Sequence, residues 1–455
     1  MTNKPLSRRK FLALSGVAGA SMALLAACPA PAGAPAGGGG AAAEDTAIEF
    51  LAWGDVADDP AWSTLVDNFN GQGQGITVSA TGVPDPGSNF YTKLQTMVAG
   101  GTPPHIASFQ GWEWQTYADR DLLAPIDEWV ADAGLDNIYP ETNTIEVSTK
   151  RNGSRYLIPL QMATMVMFYA KAPFDEAGLD YPTDDWTMED FFSMAEALTN
   201  TEGDNKMFGY QANGNWVRDI HWIRAAGAQE FDELVDPTTA NFDDPTIVET
   251  VQTFAQDVYY AMGISPTIAD MEGGANTIDT GNAAMKYEGA WYFGRLDSPS
   301  LREEGKEIDF DVVMMPQGAD ESRPHRGWSE GVAVMATDSA EAAWQFAAYM
   351  GGQDGNKIFS ELTGRLPNSP ELLESFWIPT IQERFGVENG AAFLNAFQTS
   401  EVDVIGGVTR TQFWTEAVKP IGYDPLTNNS ATAAEVMPAV NEAAQALLDE
   451  YWANQ

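Results

Sequence analysis

Cysteine, histidine and positive charge are all scarce in this chain. Cys28 is the single cysteine in 455 residues, so no disulfide can close within one copy. The three histidines, His105, His221 and His325, stand far apart, too few and too scattered for a dedicated zinc or iron site. There is no Gly-x-Ser-x-Gly elbow, no His-Glu-x-x-His helix and no glycine-rich phosphate loop. No catalytic residue, metal or cofactor is therefore expected. A glycan-active enzyme would need two carboxylates placed across a glycosidic bond. With 65 acidic residues some pair always looks available, so abundance carries no weight. Against those acids stand only 24 Lys and Arg, a formal charge of −41. Such a surface repels nucleic acid and anionic headgroups. It also disfavours a strongly anionic ligand unless a local basic pocket overrides it. No apolar run reaches the roughly 20 residues that span a bilayer.

What the N-terminus does hold is an export pattern. Ser7-Arg8-Arg9-Lys10-Phe11-Leu12 precedes an apolar run from Ala13 to Ala27, which ends in Leu25-Ala26-Ala27-Cys28. A basic head, an apolar body and small residues before a cut site make a signal peptide, and the paired arginines are a twin-arginine address. The Leu-Ala-Ala-Cys ending resembles the bacterial lipobox, which implies cleavage before Cys28 and lipid on its thiol and new amino terminus. Residues 1–27 are then the leader and 28–43 a Pro, Ala and Gly tether that cannot build a core. The leader carries Lys4, Arg8, Arg9 and Lys10 and no acid, so the exported body is more acidic still. The expected location is extracytoplasmic, anchored to the membrane through that lipid.

The body is 44% hydrophobic by whole-chain composition and too long for one core, so two lobes are expected. Ile48–Trp53 reads as a strand, and Pro60 opens a helix burying Trp62, Leu65, Val66 and Phe69. Strand 76–80, helix 90–98 and strand 106–109 follow. This β-α-β-α-β order calls for a parallel sheet covered on both faces. Further strands are expected at 156–160, 166–169, 283–287, 310–314 and 332–335, with helices over 182–198, 216–227, 244–262, 339–350 and 430–452.

Several segments match, in order, one family. Phe90 to Ile106 holds a lysine-containing helix and an Ala-Gly-Gly-Thr-Pro-Pro turn, with His105 where the family has aspartate. Asp121-Leu122-Leu123-Ala124-Pro125-Ile126, Tyr156-Leu157-Ile158-Pro159, Met167 to Lys171, Gly281 to Met285, Gly289-Ala290-Trp291 and Trp328 to Ala336 complete the set. Together they resemble the extracellular solute-binding proteins of ABC importers, in the sugar-binding group that includes maltose-binding protein. The resemblance implies an α/β, periplasmic-binding-protein-like fold of two discontinuous lobes, 44–157 with 315–365 and 158–314 with 366–455. A three-strand hinge would cross near Ile158, Met314 and Leu366. It also implies a monomer that captures a carbohydrate and hands it to a membrane permease. A binding protein for a non-sugar solute, such as a polyol, osmolyte, peptide or sugar phosphate, is the rival reading.

A sugar offers apolar C–H faces and a rim of hydroxyls, so its cleft needs aromatic plates beside short polar or charged groups. The candidates lie in loops: Trp53 and Asp55, Trp112 with Glu113 and Trp114, Gln161, Trp216, Glu288 with Trp291, Trp328 with Glu330, Arg365 and Trp414. Trp62 and Phe69, on a helical stripe, are core instead, and Trp129, Trp186, Trp344 and Trp452 are assigned to packing.

Overall fold

The structure is a computed structural model that describes residues 45–54, 60–83, 88–139, 142–203 and 206–455. The leader, the tether, Cys28 and Asp55 lie outside the described residues. Strand β1 (Thr46–Trp53) alternates its side chains between two cores: Ile48 and Phe50 point to one cluster and Leu51 to another. Helix α1 (Pro60–Asn70) begins on its proline, which costs nothing where the first N–H lacks a partner anyway. It buries Trp62, Leu65 and Phe69, as the stripe predicts. Strand β2 (Ile76–Val83) and strand β3 (Ile106–Gln110) flank β1 in parallel, with helix α2 (Ser88–Ala99) between them in sequence.

After a two-stranded ribbon, β4 (Lys150–Arg151) with β5 (Ser154–Arg155), comes a 14-residue strand. Strand β6 (Leu157–Ala170) is fully buried along its length, so it reads as an almost unbroken apolar run. The sequence suggested two short strands here; they are one. The full sheet order is β2-β1-β3-β10-β6-β8-β7, with β9 also on β6. These later strands are β7 (Phe208–Tyr210), β8 (Ala283–Gly289), β9 (Phe310–Val313) and β10 (Gly327–Val334). Residues 157–164 of β6 pair with β10, whereas 165–170 pair with β8 and β9. The exchange of partners divides the sheet into two sets of strands. It falls between Thr164 and Met165, inside β6 rather than at its start.

A bulge interrupts β6 near that exchange. Glu330 pairs with Gln161 but Gly331 pairs with Pro159, leaving Leu160 unmatched. Pro159 has no N–H for the ladder, and such irregularities re-aim neighbouring side chains. A β-carbon at Gly331 would lie 1.9 Å from the Ile158 carbonyl oxygen, so only glycine allows this approach. The freed carbonyls are satisfied by two asparagines: Asn368 Nδ2 donates to Pro159 O (2.9 Å) and Asn356 Nδ2 to Leu160 O (2.6 Å).

The second lobe is layered with helices. Helix α3 (Met188–Leu198) starts later than its apolar pattern suggests, because Thr187 and Asp190 form a reciprocal capping box. Helix α4 (Trp216–Ala225) is capped by Asn215, whose side chain accepts from Val217 N at 3.0 Å. It packs against helix α5 (Pro245–Gln252). The C-terminal helix α9 (Ala433–Ala453) lies along the π-helical stretch Phe413–Tyr423. Helices α6 (Ala340–Gly351) and α7 (Gln353–Thr363) cover the first lobe, and α8 (Ala391–Gln398) packs on β6. Trp452, expected to pack, is 40% exposed, with its indole N–H bonded to Pro237 O (2.8 Å).

Candidate ligand-binding site

A cavity of about 380 Å³ opens where strand ends from both lobes meet. Trp53 comes from the carboxyl end of β1, and Gln110 and Trp112 from the end of β3. Gln161 and Glu330 flank the bulge, Trp328 lies at the start of β10, and Trp291 follows β8. Val217 and Arg218 come from the first turn of α4, and Arg326, Arg365 and Arg410 complete the wall. Sites outside the carboxyl ends of strands are what this sheet type provides.

The indoles are not equivalent. Trp112 and Trp328 meet edge-to-face, centroids 5.7 Å apart, and are nearly buried. Arg410 stands 3.7 Å over the Trp112 ring and Arg326 4.1 Å over Trp328, so their faces are already covered by guanidinium groups. Trp53 and Trp291 are the half-exposed plates. Trp291 folds back over Gly289, where a β-carbon would lie 2.2 Å from the ring. Its Nε1–H donates to Glu288 Oε1 (3.0 Å), and the same oxygen takes Arg218 (2.7 Å), which lies 5.3 Å over the indole. One carboxylate thus holds both a plate and a cation.

Glu330 plays the matching part opposite. Its Oε1 accepts from Trp328 Nε1 (2.9 Å), and its Oε2 from Gln161 Nε2 (2.5 Å) and Arg365 (3.3 Å). Asp403, wholly buried, receives Arg326 twice (2.5 and 2.6 Å) and Arg410 once (2.6 Å). Burial alone would raise the Asp403 carboxyl, but the two guanidiniums outweigh it and hold it below the usual range. Burial lowers Arg410 to about 10, against the opposing pull of Asp403, and it stays charged at neutral pH. The lining arginines, Gln161 and Glu330 can offer hydrogen bonds to a polar guest, and the half-exposed Trp53 and Trp291 offer apolar ring surface. Among the described residues no cluster of His, Cys, Asp or Glu could hold a metal, and no helix is long and apolar enough to cross a membrane.

The model of one family, bacterial extracellular solute-binding proteins, matches residues 64–384. The chain belongs to that family. Its members and their fold are those of non-catalytic solute-binding proteins. As a solute-binding protein it is similar to the erythritol/L-threitol-binding protein of Mycolicibacterium smegmatis, 26% identical over 319 residues, which are 63% of this chain. The chain spans 65% of that relative's length. Its fold matches an ABC substrate-binding protein of Listeria monocytogenes in complex with cycloalternan, with a TM-score of 0.74 at 21% identity, over 89% of this chain and 99% of that one. The maltose-bound MalE3 of T. maritima matches at 0.71 and 17% identity, over 88% and 100%. The two-lobe α/β architecture expected from the sequence is the one observed.

Within this solute-binding protein the cavity gathers Trp53, Trp112, Gln161, Trp291, Trp328, Glu330 and Arg365 from the candidate set. Glu288 stands behind Trp291 as its support. Glu113 is displaced: it lines a neighbouring cavity of about 520 Å³, and its Oε1 accepts from Thr411 Oγ1 (2.5 Å). Three tryptophans are corrected to packing. Trp114 is fully buried in the first lobe, stacked near Tyr156, with its Nε1–H spent on Ser148 O (2.9 Å). Trp216 is buried against Phe242. Trp414 is turned onto Tyr423 and does not line the cavity. Sequence reasoning missed Gln110, Val217, Arg218, Arg326 and Arg410. Arg326 and Arg410 each adjoin a segment already singled out, but of the cations only Arg365 was placed among the candidates.

Proposed function

We propose that this solute-binding protein captures a carbohydrate between its lobes outside the cytoplasm and delivers it to an ABC import permease. The observation that carries this reading is the pairing of two half-exposed indole plates, Trp53 and Trp291, with Gln110, Gln161, Glu330 and arginines around one cavity. Aromatic faces for C–H surfaces and charged forks for hydroxyls are what a sugar requires. Sugar complexes of proteins with the same fold support it. Contacts from both lobes lower the energy of the closed form, so binding and closure are one event. The lobes, 44–157 with 315–365 and 158–314 with 366–455, swing about crossings near Ile158, Met314 and Leu366. Lipid on Cys28 tethers the body beside its permease and raises its local concentration. A small polyol is the second reading, favoured by the erythritol/L-threitol-binding relative.

Calorimetric titration of mono- and oligosaccharides and of four-carbon polyols into the protein tests the reading, after mass spectrometry of whatever co-purifies. Binding of a sugar with micromolar or better affinity supports it. Tighter binding of a polyol moves the conclusion to the second reading, and binding of neither refutes both. Release of the protein from membranes by Cys28→Ala tests the tether separately.

A further inference from the structure

The cavity concentrates positive charge in a chain that has little. Four of its walls are arginines, Arg218, Arg326, Arg365 and Arg410, drawn from only 24 basic residues in a chain of charge −41. Their acid partners number three. Glu288 answers Arg218 and Glu330 answers Arg365, but Asp403 alone serves both Arg326 and Arg410. Counting only the acids that bond to these arginines, the set is left with one positive charge in excess, at the Arg326–Arg410 end, where Glu113 pulls on Arg410 without a hydrogen bond to it. Arg326 spends two of its nitrogens on Asp403. Arg410 spends one, and its buried Nε–H meets no acceptor among the described residues. The nearest remaining acid, Glu113, opens on the neighbouring cavity and bonds to Thr411. Burial moves its carboxyl toward the neutral form, against the pull of Arg410.

A surplus guanidinium in a confined site is costly unless an anion joins it, and a planar fork suits a carboxylate best. We propose that the carbohydrate carries a single carboxylate, a uronic-acid type of sugar, seated against Arg410 beside Arg326, with its ring on Trp291. This rests on the carbohydrate reading above and narrows it. A phosphate ester fits less well: at about −1.5 to −2 it overshoots the one surplus charge inside an acidic body.

The test is a calorimetric comparison of glucuronate and galacturonate, free and in disaccharides, with the matching neutral sugars and hexose 6-phosphates. Uronates should bind at least tenfold more tightly than their neutral parents, about 1.4 kcal/mol. Arg410→Gln should abolish that preference, bringing the uronate and neutral-sugar affinities to within a few-fold of each other. Arg410→Lys, which keeps the charge and loses the fork, should restore part of it. Neutral sugars binding as well as or better than uronates overturns the inference and leaves the carbohydrate reading standing. A preference for the phosphates overturns the carboxylate assignment. Failure of every carbohydrate to bind overturns both. The wild-type comparison decides even where a variant fails to fold.

Discussion

Replacing Trp291 by alanine should weaken ligand binding by roughly ten- to a hundredfold. The magnitude follows from what the indole presents. A whole indole buries about 150–250 Å², and one open face covers about a third of that. With a similar area on the guest, roughly 120 Å² leaves water, worth about 3 kcal/mol at 25 cal/mol per Å². Desolvation of the sugar's hydroxyls offsets part of this, leaving about 1.4–2.7 kcal/mol. The same change also costs stability, because Trp291 contacts Trp328 (5.9 Å), lies under Arg218 and donates to Glu288. Those contacts sum to about 2 kcal/mol at a half-exposed position. A second variant separates the two effects. Gly289 has an ordinary extended backbone (φ −101°), so alanine there is strained only by its collision with the Trp291 ring. Gly289→Ala should therefore displace the plate and reproduce the affinity loss, while leaving the Arg218–Glu288 pair in place. Titration calorimetry gives the affinity and thermal melting the stability. An unchanged dissociation constant in both variants, with an intact fold, would remove Trp291 from the site and reduce it to packing.

Asp403→Asn should destabilise the protein by about 3–5 kcal/mol in denaturant titration, since it leaves two buried guanidiniums without their carboxylate; a loss under 1 kcal/mol would show that the network is solvated. Trp114→Phe and Trp216→Phe should each lower the melting temperature without changing ligand affinity, because both indoles are buried in lobe interiors; a tenfold loss of affinity in either would overturn its assignment to the core. Acid should weaken the fold through His325, whose pKa burial lowers to about 4 and whose Nε2 accepts from Met315 N (3.1 Å). Above about pH 6.5 the imidazole is neutral in both states; as pH falls toward 4 only the unfolded chain takes the proton, so stability is lost across that window. Between pH 7 and pH 5 the loss is about 2 kcal/mol more than in His325→Gln, measured by denaturant titration at each pH, and parallel profiles would refute it.

The parallel sheet was legible because its signals are local. Alternation in β1, the stripe of α1 and the β-α-β-α-β order each follow from residues a few positions apart. Much of the pocket was legible for a related reason, since tryptophans beside acids in loops have few other uses. What failed was depth. Trp112, Trp114 and Trp216 all stand beside polar residues, yet one reaches the cavity and two do not, because the turn after β3 and the first turn of α4 face opposite ways at neighbouring positions. From Trp216 to Arg218 the helix rotates from core to cavity, and only the capped start at Asn215 fixes which is which. The arginines were hidden by their own partners: Arg326 and Asp403 are 77 residues apart, and no local pattern joins them.

On the proposed function, the hinge and the grip lie on the same strand, which would give closure a mechanical route. Pro159 and Gly331 force the bulge that sets Gln161 against Glu330, and the strand changes lobes only a few residues later, between Thr164 and Met165. Glu330 is also the acceptor for Arg365, which lies next to the proposed crossing near Leu366, and Thr164 Oγ1 donates to Arg326 O (2.9 Å) just before β10. The β6 exchange and the crossing near Leu366 therefore meet groups that line the cavity. A guest that tightened Glu330, Arg365 and Arg326 around itself would load the β6 exchange directly, with no relay through either lobe's interior. Packed interiors move as rigid bodies while such a short irregular segment absorbs the change in angle. On the closure proposed above, the bulge and the nearby β6 exchange are where occupancy of the cavity would act on the angle between the lobes.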